Sequence, residues 1–131
     1  MIPFLRYHDS KAAIAFLEEG FGLKSHLVVE NEGVVVHAQV ALGRGLVMLS
    51  DVASSDGADA LMTTPADAGK PTGGVYVVID EDVDAHAARA KAAGATIVRP
   101  PADQEYGGRD YTCLDPEGNI WSFGTYDPWA G

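Results

Sequence analysis

The feature that most constrains the fold of this chain is an internal repeat that spans most of its 131 residues. Each half reads as a short strand, a helix and three further strands. Asp9 and Asp80 open the two helical segments and lie 71 positions apart, and the glycines that end them, Gly22 and Gly94, lie 72 apart. A steady offset over half a chain is typical of duplication. The sequence therefore predicts an α+β fold of two βαβββ modules with curved mixed sheets around a central cavity.

Apolar spacing and end signals define the two helices. In the first, Asp9 is the expected N-cap and Gly22 the stop. In the second, three acidic residues crowd the N-terminal end, where the helix dipole favours anions, and Gly94 is the stop. We expect a single domain of residues 1–131, with module one over about 1–52, a linker rich in Ala, Ser, Asp, Thr and Pro over about 53–72, and module two over about 73–131.

Period-two apolar patterns and turn glycines predict four strands in each half. In the first half the predicted strands are Ile2–Arg6, Lys24–Glu30, Val34–Leu42 and Leu46–Ser50. In the second half they are Gly74–Ile79, Ala95–Arg99, Arg109–Leu114 and Asn119–Tyr126.

The turn of the first hairpin predicts which of its side chains share a face. A two-residue turn pairs Leu42 with Gly45, so His37, Gln39 and Met48 point away from the helices. The helix side of this hairpin then receives four apolar side chains, Val36, Val40, Val47 and Leu49.

The second hairpin closes on Asp115-Pro116-Glu117-Gly118, a turn that we expect to place Leu114 opposite Asn119. In that register Tyr111 lies opposite Ser122 on the face away from the helices.

The same register places Arg109 and Cys113 beside Tyr111 and turns Trp121 and Phe123 toward the helices, since the bulkiest apolar pair needs burial. A sheet with one apolar face and one mixed face is expected to curve around a cavity with a few polar groups. A plain solvent-exposed surface is the alternative.

Composition excludes several classes of function. Apolar residues make up 47% of the chain and charged residues 21%, which is typical of a soluble globular protein. The net charge of −10 disfavours binding to nucleic acid and either favours cationic small molecules or serves solubility alone. No apolar stretch is long enough to span a membrane, and we expect no leader segment because the N-terminus begins on a strand-like pattern. With Cys113 as its one cysteine, the chain is expected to be cytoplasmic.

Several motifs carry a resemblance to a known family. They are the helix that ends in Phe-Gly, the glycine-turn hairpin before Val47-Met48-Leu49, and Gly107-Gly108-Arg109 leading to Asp115-Pro116-Glu117-Gly118-Asn119-Ile120-Trp121. With two βαβββ units, the chain resembles the vicinal oxygen chelate superfamily, which includes glyoxalase I, extradiol dioxygenases, fosfomycin resistance enzymes and bleomycin-binding proteins. The resemblance identifies the fold well and the activity poorly, because this fold hosts many chemistries.

The resemblance also implies where a metal would bind. Metal-dependent members use residues on four strands, usually His and Glu, and the matching positions here are Ile2, Met48, Gly74 and Ser122. None is a suitable ligand for a divalent metal, which prefers imidazole nitrogen or carboxylate oxygen. Among the neighbouring positions only Tyr76 offers a weak ligand. We therefore expect no metal and no cofactor.

The individual candidates each have two interpretations. His37 is either a cavity acid or base or a structural histidine that orients a neighbour such as Tyr111. Arg109 either grips an anionic or carbonyl oxygen or forms a salt bridge with a nearby acid, Glu105 or Asp110. Tyr76 and Tyr111 either stack on a planar ligand or fill the sheet interior. The other three histidines are expected on the surface, and Cys113 is expected to be inert.

The leading hypothesis is a homodimer that binds a small organic molecule without a metal, as the resemblance to bleomycin-resistance proteins implies. The predicted ligand-binding residues are His37, Gln39, Met48, Tyr76, Arg109, Tyr111 and Ser122. The alternative is a lyase or isomerase of glyoxalase type, with a displaced metal site or with His37 as base and Arg109 as electrostatic stabiliser. A third possibility is an accessory role with no open cavity.

Overall fold

The computed structural model describes residues 1–54 and 61–130 and contains eight strands and three helices in that part of the chain. The first module consists of β1 (Phe4–Tyr7), α1 (Ser10–Phe21), β2 (Lys24–Asn31), β3 (Val34–Leu42) and β4 (Gly45–Asp51). A short helix follows, α2 (Pro65–Ala68). The second module consists of β5 (Gly74–Val78), α3 (Val83–Ala93), β6 (Thr96–Asp103), β7 (Arg109–Leu114) and β8 (Ile120–Gly124).

Both ends of the first helix and the end of the second lie where the sequence predicts them, whereas the second helix begins at Val83, with Asp82 rather than Asp80 before it. The Asp9 carboxylate accepts a hydrogen bond from the Ala12 amide at 3.0 Å and caps α1. Gly22, with a φ of 76°, takes the left-handed conformation that ends this helix. The Asp82 carboxylate caps α3 in the same way, through the Ala85 amide at 3.1 Å.

The two sheets have the same topology, which confirms the α+β fold of paired βαβββ modules. The strand order is β1-β4-β3-β2 in the first sheet and β5-β8-β7-β6 in the second. In each sheet the first strand of the module runs parallel to the last, and the other pairs are antiparallel. One face of each sheet packs against the helices. We call the other the open face.

Both modules contribute to one continuous apolar core, in which α1 packs against α3. Phe21, the last residue of α1, lies between the modules, with its ring centroid 5.3 Å from that of Trp121 and 4.6 Å from that of Phe123. Within the two described ranges, no helix combines the length and the apolar character that crossing a membrane requires.

The segment between the modules lies partly outside the described residues. Of the predicted linker over residues 53–72, the described part contains α2, which the sequence did not predict. The Thr64 hydroxyl caps this helix by accepting the Asp67 amide at 3.3 Å. The division into one domain with a linker remains a prediction.

Candidate functional site

The first hairpin has the predicted register. Leu42 pairs with Gly45 and Gln39 with Met48, so His37, Gln39 and Met48 lie half-buried on the open face of the first sheet. The Gln39 side-chain amide donates a hydrogen bond to Nε2 of His37 at 3.1 Å. These three predicted site residues are therefore brought together.

A bulge in β3 corrects one detail of that hairpin. Val29 pairs with His37 but Glu30 pairs with Val35, so the register shifts at Val36. Val35 is completely buried and Val36 only partly, which makes the prediction that Val36 packs beneath the helix wrong. The Asp51 carboxylate stabilises the bulge by accepting the Val35 amide at 2.9 Å.

The second hairpin is shifted by one residue from the predicted register. Leu114 pairs with Ile120 rather than with Asn119, because the turn is a three-residue loop. The Asp115 amide donates to the Asn119 carbonyl at 2.9 Å, and Gly118 has a φ of 88°, the left-handed conformation that such a loop needs. The predicted pairing of Tyr111 with Ser122 is therefore wrong.

The shift exchanges the two faces of β7. Tyr111 pairs with Phe123 and Cys113 with Trp121, and all four side chains are buried on the helix face. Burial raises the pKa of the Cys113 thiol to about 12, in keeping with the inert thiol that we expect. The structure does not bring Tyr111 to the open face.

Arg109 also lies apart from the open face. Its Nε and Nη2 donate to the two carboxylate oxygens of Asp84, on α3, at 2.9 and 3.0 Å. Its Nη1 donates to Asp103 at 3.2 Å. These hydrogen bonds lower the pKa of the Asp84 carboxyl group. Arg109 thus forms ion pairs, as one of its two interpretations predicts, but its partners are Asp84 and Asp103 rather than Glu105 or Asp110.

The buried histidine of the structure is His86, which was expected on the surface. Its Nδ1 lies 2.6 Å from the Tyr111 hydroxyl oxygen and its Nε2 lies 3.1 Å from the Phe21 carbonyl oxygen. A carbonyl only accepts hydrogen bonds, so Nε2 carries the proton and Nδ1 accepts from the tyrosine. Burial lowers the pKa of His86. Its position three residues after Val83, on the apolar stripe of α3, is the signal that could have revealed it.

Four side chains form a row across the open face of the second sheet. Tyr76, Ser122, Thr112 and Arg99 are successive partners on β5, β8, β7 and β6, and we call them the second row. The hydroxyl oxygens of Thr112 and Ser122 lie 2.8 Å apart, and Nε of Arg99 donates to the Thr112 hydroxyl at 3.3 Å. Sequence reasoning placed only Tyr76 and Ser122 in this row.

The first sheet has an equivalent row with different chemistry. Phe4, Met48, Gln39 and Leu27 are successive partners on β1, β4, β3 and β2, and we call them the first row. Its side chains are apolar except for the Gln39 amide. The two modules thus present related geometry with an apolar row in one and a polar row in the other.

A buried carboxylate lies beside the second row. Asp110 is on the same face of β7 as Thr112 and is only 4% exposed. Its carboxylate accepts the Gln104 amide at 2.8 Å and the Tyr106 hydroxyl at 3.1 Å. These two hydrogen bonds come from neutral donors, and Arg99 adds a long ion pair, with its Nη2 3.9 Å from the carboxylate.

The strand pairing shows which residues lie beside Met48 and Ser122, two of the four positions that the family resemblance implies for a metal. Met48 pairs with Phe4 and Ser122 with Tyr76, so the residues beside them on β1 and β5 lie two positions after Ile2 and Gly74. A phenyl ring, a thioether, a phenol and a hydroxyl stand there, a set that does not fit a divalent metal. Over residues 1–54 and 61–130, no group of three or more His, Cys, Asp or Glu side chains could hold a metal ion.

The chain is similar to other proteins in sequence and in structure. The chain is 33% identical over 123 residues to an uncharacterized protein of Mycobacterium tuberculosis, Rv0887c, with 93% of this chain and 71% of the relative covered. Among solved structures, TioX from Micromonospora sp. ML1 matches with a TM-score of 0.73 and 33% identity, covering 95% of this chain and 93% of TioX.

More distant structures share the fold alone. The fosfomycin resistance protein FosX from Mesorhizobium loti matches with a TM-score of 0.68 at 17% identity, covering 98% of this chain and 92% of FosX. The profile of one superfamily matches residues 3–123. The chain therefore belongs to the Glyoxalase/Bleomycin resistance protein/Dioxygenase superfamily, which confirms the resemblance to the vicinal oxygen chelate proteins.

Proposed function

We propose that this protein binds a small organic molecule on the open faces of its sheets and does so without a metal ion. The observation that carries the proposal is the chemistry of the four central positions, Phe4, Met48, Tyr76 and Ser122. They offer apolar contact, an adaptable thioether, an aromatic ring and a hydroxyl, which suit an organic ligand better than a cation.

The surrounding side chains support the same function. His37 and Gln39 add polar groups to the first open face, and both are only partly exposed. A mainly apolar surface with a few convergent polar groups is typical of ligand pockets. Of the seven predicted binding residues, Arg109 and Tyr111 are outside the proposed site.

We further propose that the protein acts in the cytoplasm as a homodimer, in which a second copy completes the cavity. All eight residues of β2 are exposed, and the open-face side chains Leu27 and Val29 are 44% and 42% exposed. Tyr76 and Val78 are each 41% exposed on the second sheet. Exposed apolar surface of this kind marks interaction sites, and twofold pairing is the commonest way to cover it. Light scattering coupled to size-exclusion chromatography would measure the mass directly.

Calorimetric titration with fused-ring aromatic compounds, in buffer with and without a chelator, tests the binding function. Saturable binding that the chelator leaves unchanged is the expected result. Met48→Trp, which fills the first row, should abolish binding, whereas Val28→Trp, on the helix side of neighbouring β2, should not. If no compound binds, or if binding needs an added metal, the proposal is wrong.

The second candidate is metal-free lyase or isomerase chemistry, and the half-buried imidazole of His37 on the open face favours it. The stabilising role expected of Arg109 has no support, because that guanidinium is held by Asp84 and Asp103. Turnover that disappears in His37→Ala but survives in His26→Ala, a change at an exposed position, would support an enzyme. Stoichiometric nickel, zinc, manganese or iron in protein purified without chelator would favour a metalloenzyme instead.

A further inference from the structure

The open faces carry a charge opposite in sign to that of the whole chain. The net charge is −10, with 19 acidic and 9 basic residues. Among the described strand residues that cross-strand pairing assigns to the open faces, three are cationic and one is anionic, namely Arg6, Lys24, Arg99 and Asp110. Arg6 and Asp110 are buried, so the accessible charges are those of Lys24 and Arg99. The acidic excess therefore lies elsewhere on the protein, and the expectation of a cationic ligand from bulk charge does not apply to this surface.

Arg99 is the cation in this set that is best placed to meet a ligand. Its side chain is 64% exposed, and its Nη2 forms a long ion pair with Asp110 at 3.9 Å, a distance too great for a hydrogen bond. Within the part of the chain that the structure describes, its only hydrogen bond is the one from Nε to Thr112. The two Nη groups thus remain as a pair of donors that can grip a carboxylate through two parallel hydrogen bonds.

The hydroxyl pair of the second row adds a further donor. Thr112 and Ser122 have two hydroxyl hydrogens between them, and their mutual hydrogen bond uses one. Thr112 already accepts from Arg99, so when Thr112 donates to Ser122 the Ser122 hydrogen is available to an oxygen atom of a ligand. The Ser122 hydroxyl lies between Tyr76 and Arg99 in the second row, so it offers a donor to an acceptor atom in the middle of a ligand that reaches the guanidinium.

Tyr76 stands at the opposite end of the second row. Its hydroxyl donates to the Tyr126 carbonyl at 2.9 Å, which fixes the position of the ring on the open face. Neighbouring strands are about 4.8 Å apart, so the backbones of Tyr76 and Arg99, three strand intervals apart, are separated by about 14 Å. Their side chains can meet two parts of one ligand of drug size.

We propose that the ligand is an amphipathic anion, a flat aromatic ring system that carries a carboxylate, with the ring against Tyr76 and the carboxylate on Arg99. This inference rests on the proposed binding function and specifies its ligand class. The role of oxygen-gripping cation, which sequence reasoning gave to Arg109, belongs to Arg99. The apolar first row adds a surface for the remainder of the ring system.

Three probes with one ring system test this inference by calorimetry: 2-naphthoate, 2-naphthamide and 2-naphthylmethylammonium. We expect 2-naphthoate to bind most tightly, 2-naphthamide less tightly and 2-naphthylmethylammonium most weakly. Arg99→Gln should weaken 2-naphthoate binding about 10-fold or more, the effect of losing a charge-assisted hydrogen bond, and should change 2-naphthamide binding less than about 2-fold. Arg99→Lys keeps the positive charge but loses the pair of parallel donors, so its affinity for 2-naphthoate should lie between that of Arg99→Gln and that of the unaltered protein.

Lys91→Gln is the control, because it removes the same unit charge from an exposed residue of α3, the helix on the other face of the second sheet. It should leave the preference for 2-naphthoate unchanged. Equal affinities for the three probes, or equal losses of affinity in Arg99→Gln and Lys91→Gln, would overturn the anion inference while the proposed binding function stands. Failure of all three probes together with every other aromatic compound would overturn both.

Discussion

The Tyr111 hydroxyl donates a hydrogen bond to Nδ1 of His86 across 2.6 Å, and this contact ties β7 to α3 inside the core. The other ring nitrogen of His86 donates to the carbonyl of Phe21, at the end of α1. One histidine thus links the second sheet, the helix that covers it and the other module. Because both residues are almost completely buried, water cannot replace a partner that is lost.

Tyr111→Phe should lower the free energy of unfolding by about 1–3 kcal/mol, since it leaves Nδ1 of His86 buried without a donor. Urea denaturation followed by circular dichroism would measure this loss. Tyr126→Phe is the control, because Tyr126 accepts through its backbone carbonyl and its ring is 43% exposed. A loss in Tyr111→Phe no larger than in the control would contradict the role of this hydrogen bond.

Stability should fall as the pH drops below about 6.5, the ordinary pKa of histidine. Burial lowers the pKa of His86 in the folded state, and the hydrogen bond to the Phe21 carbonyl and the nearby Glu81 carboxylate, 3.7 Å from Nε2, only partly oppose this shift. Below pH 6.5 the unfolded chain therefore binds a proton at His86 that the folded chain does not bind. The free energy of unfolding then falls by up to about 1.4 kcal/mol per pH unit. Urea denaturation between pH 7.5 and 5.5 should show a shallower slope in His86→Gln than in His26→Gln, an exposed control. Equal slopes would rule out His86 as the source.

Asp115→Asn should destabilise the protein by about 3 kcal/mol, because hydrogen bonds to a buried charged group are the strong ones. The Asp115 carboxylate accepts the Tyr7 hydroxyl at 2.6 Å and the Trp121 indole N–H at 3.0 Å, and so joins the modules. Thermal and urea unfolding should show the loss, with Asp127→Asn near the C-terminus as a control of small effect. Tyr7→Phe should cost less in the Asp115→Asn background than alone, and simple additivity would argue against the coupling.

Gly74→Ala should cost about 1–3 kcal/mol through overpacking. A Cβ atom at Gly74 would lie 2.7 Å from Cγ2 and 3.0 Å from the backbone oxygen of Ile120, and the backbone cannot move aside cheaply. Gly73→Ala is the adjacent control, since nothing lies within 4 Å of its added carbon. The difference between the two melting temperatures is the measurement. Two equally stable variants would contradict the close approach of β5 to β8.

Local sequence signals predict the elements of this fold because each depends on neighbouring residues. Asp9 and Gly22 bound the first helix through contacts within a few positions. The first hairpin was predicted in register because Gly43-Arg44 form a plain two-residue turn. In the second hairpin the Asp115 carboxylate holds the backbone amides of Glu117 and Asn119, and the loop gains a residue.

A one-residue slip moves every side chain of a strand to the other face, which is why the error affected the site far more than the fold. The predicted register assigned Tyr111 and Arg109 to the face of the expected cavity, and it assigned Thr112 to the helix face. Arg99 could not be placed by alternation either, because β6 has register shifts on both sides of it. The pair Pro100-Pro101 in this strand indicates such an irregularity, because proline cannot donate a hydrogen bond to a neighbouring strand.

The position of Phe21 has a consequence for the history of the repeat. The last side chain of the first helix is buried against Trp121 and Phe123 of the other half, so each copy has become part of its neighbour's interior. We therefore expect the halves to melt together in a single cooperative transition and neither to survive cleavage of the chain between them. The two halves repeat one plan, and the contact of Phe21 with Trp121 and Phe123 makes each half depend on the other for a complete core.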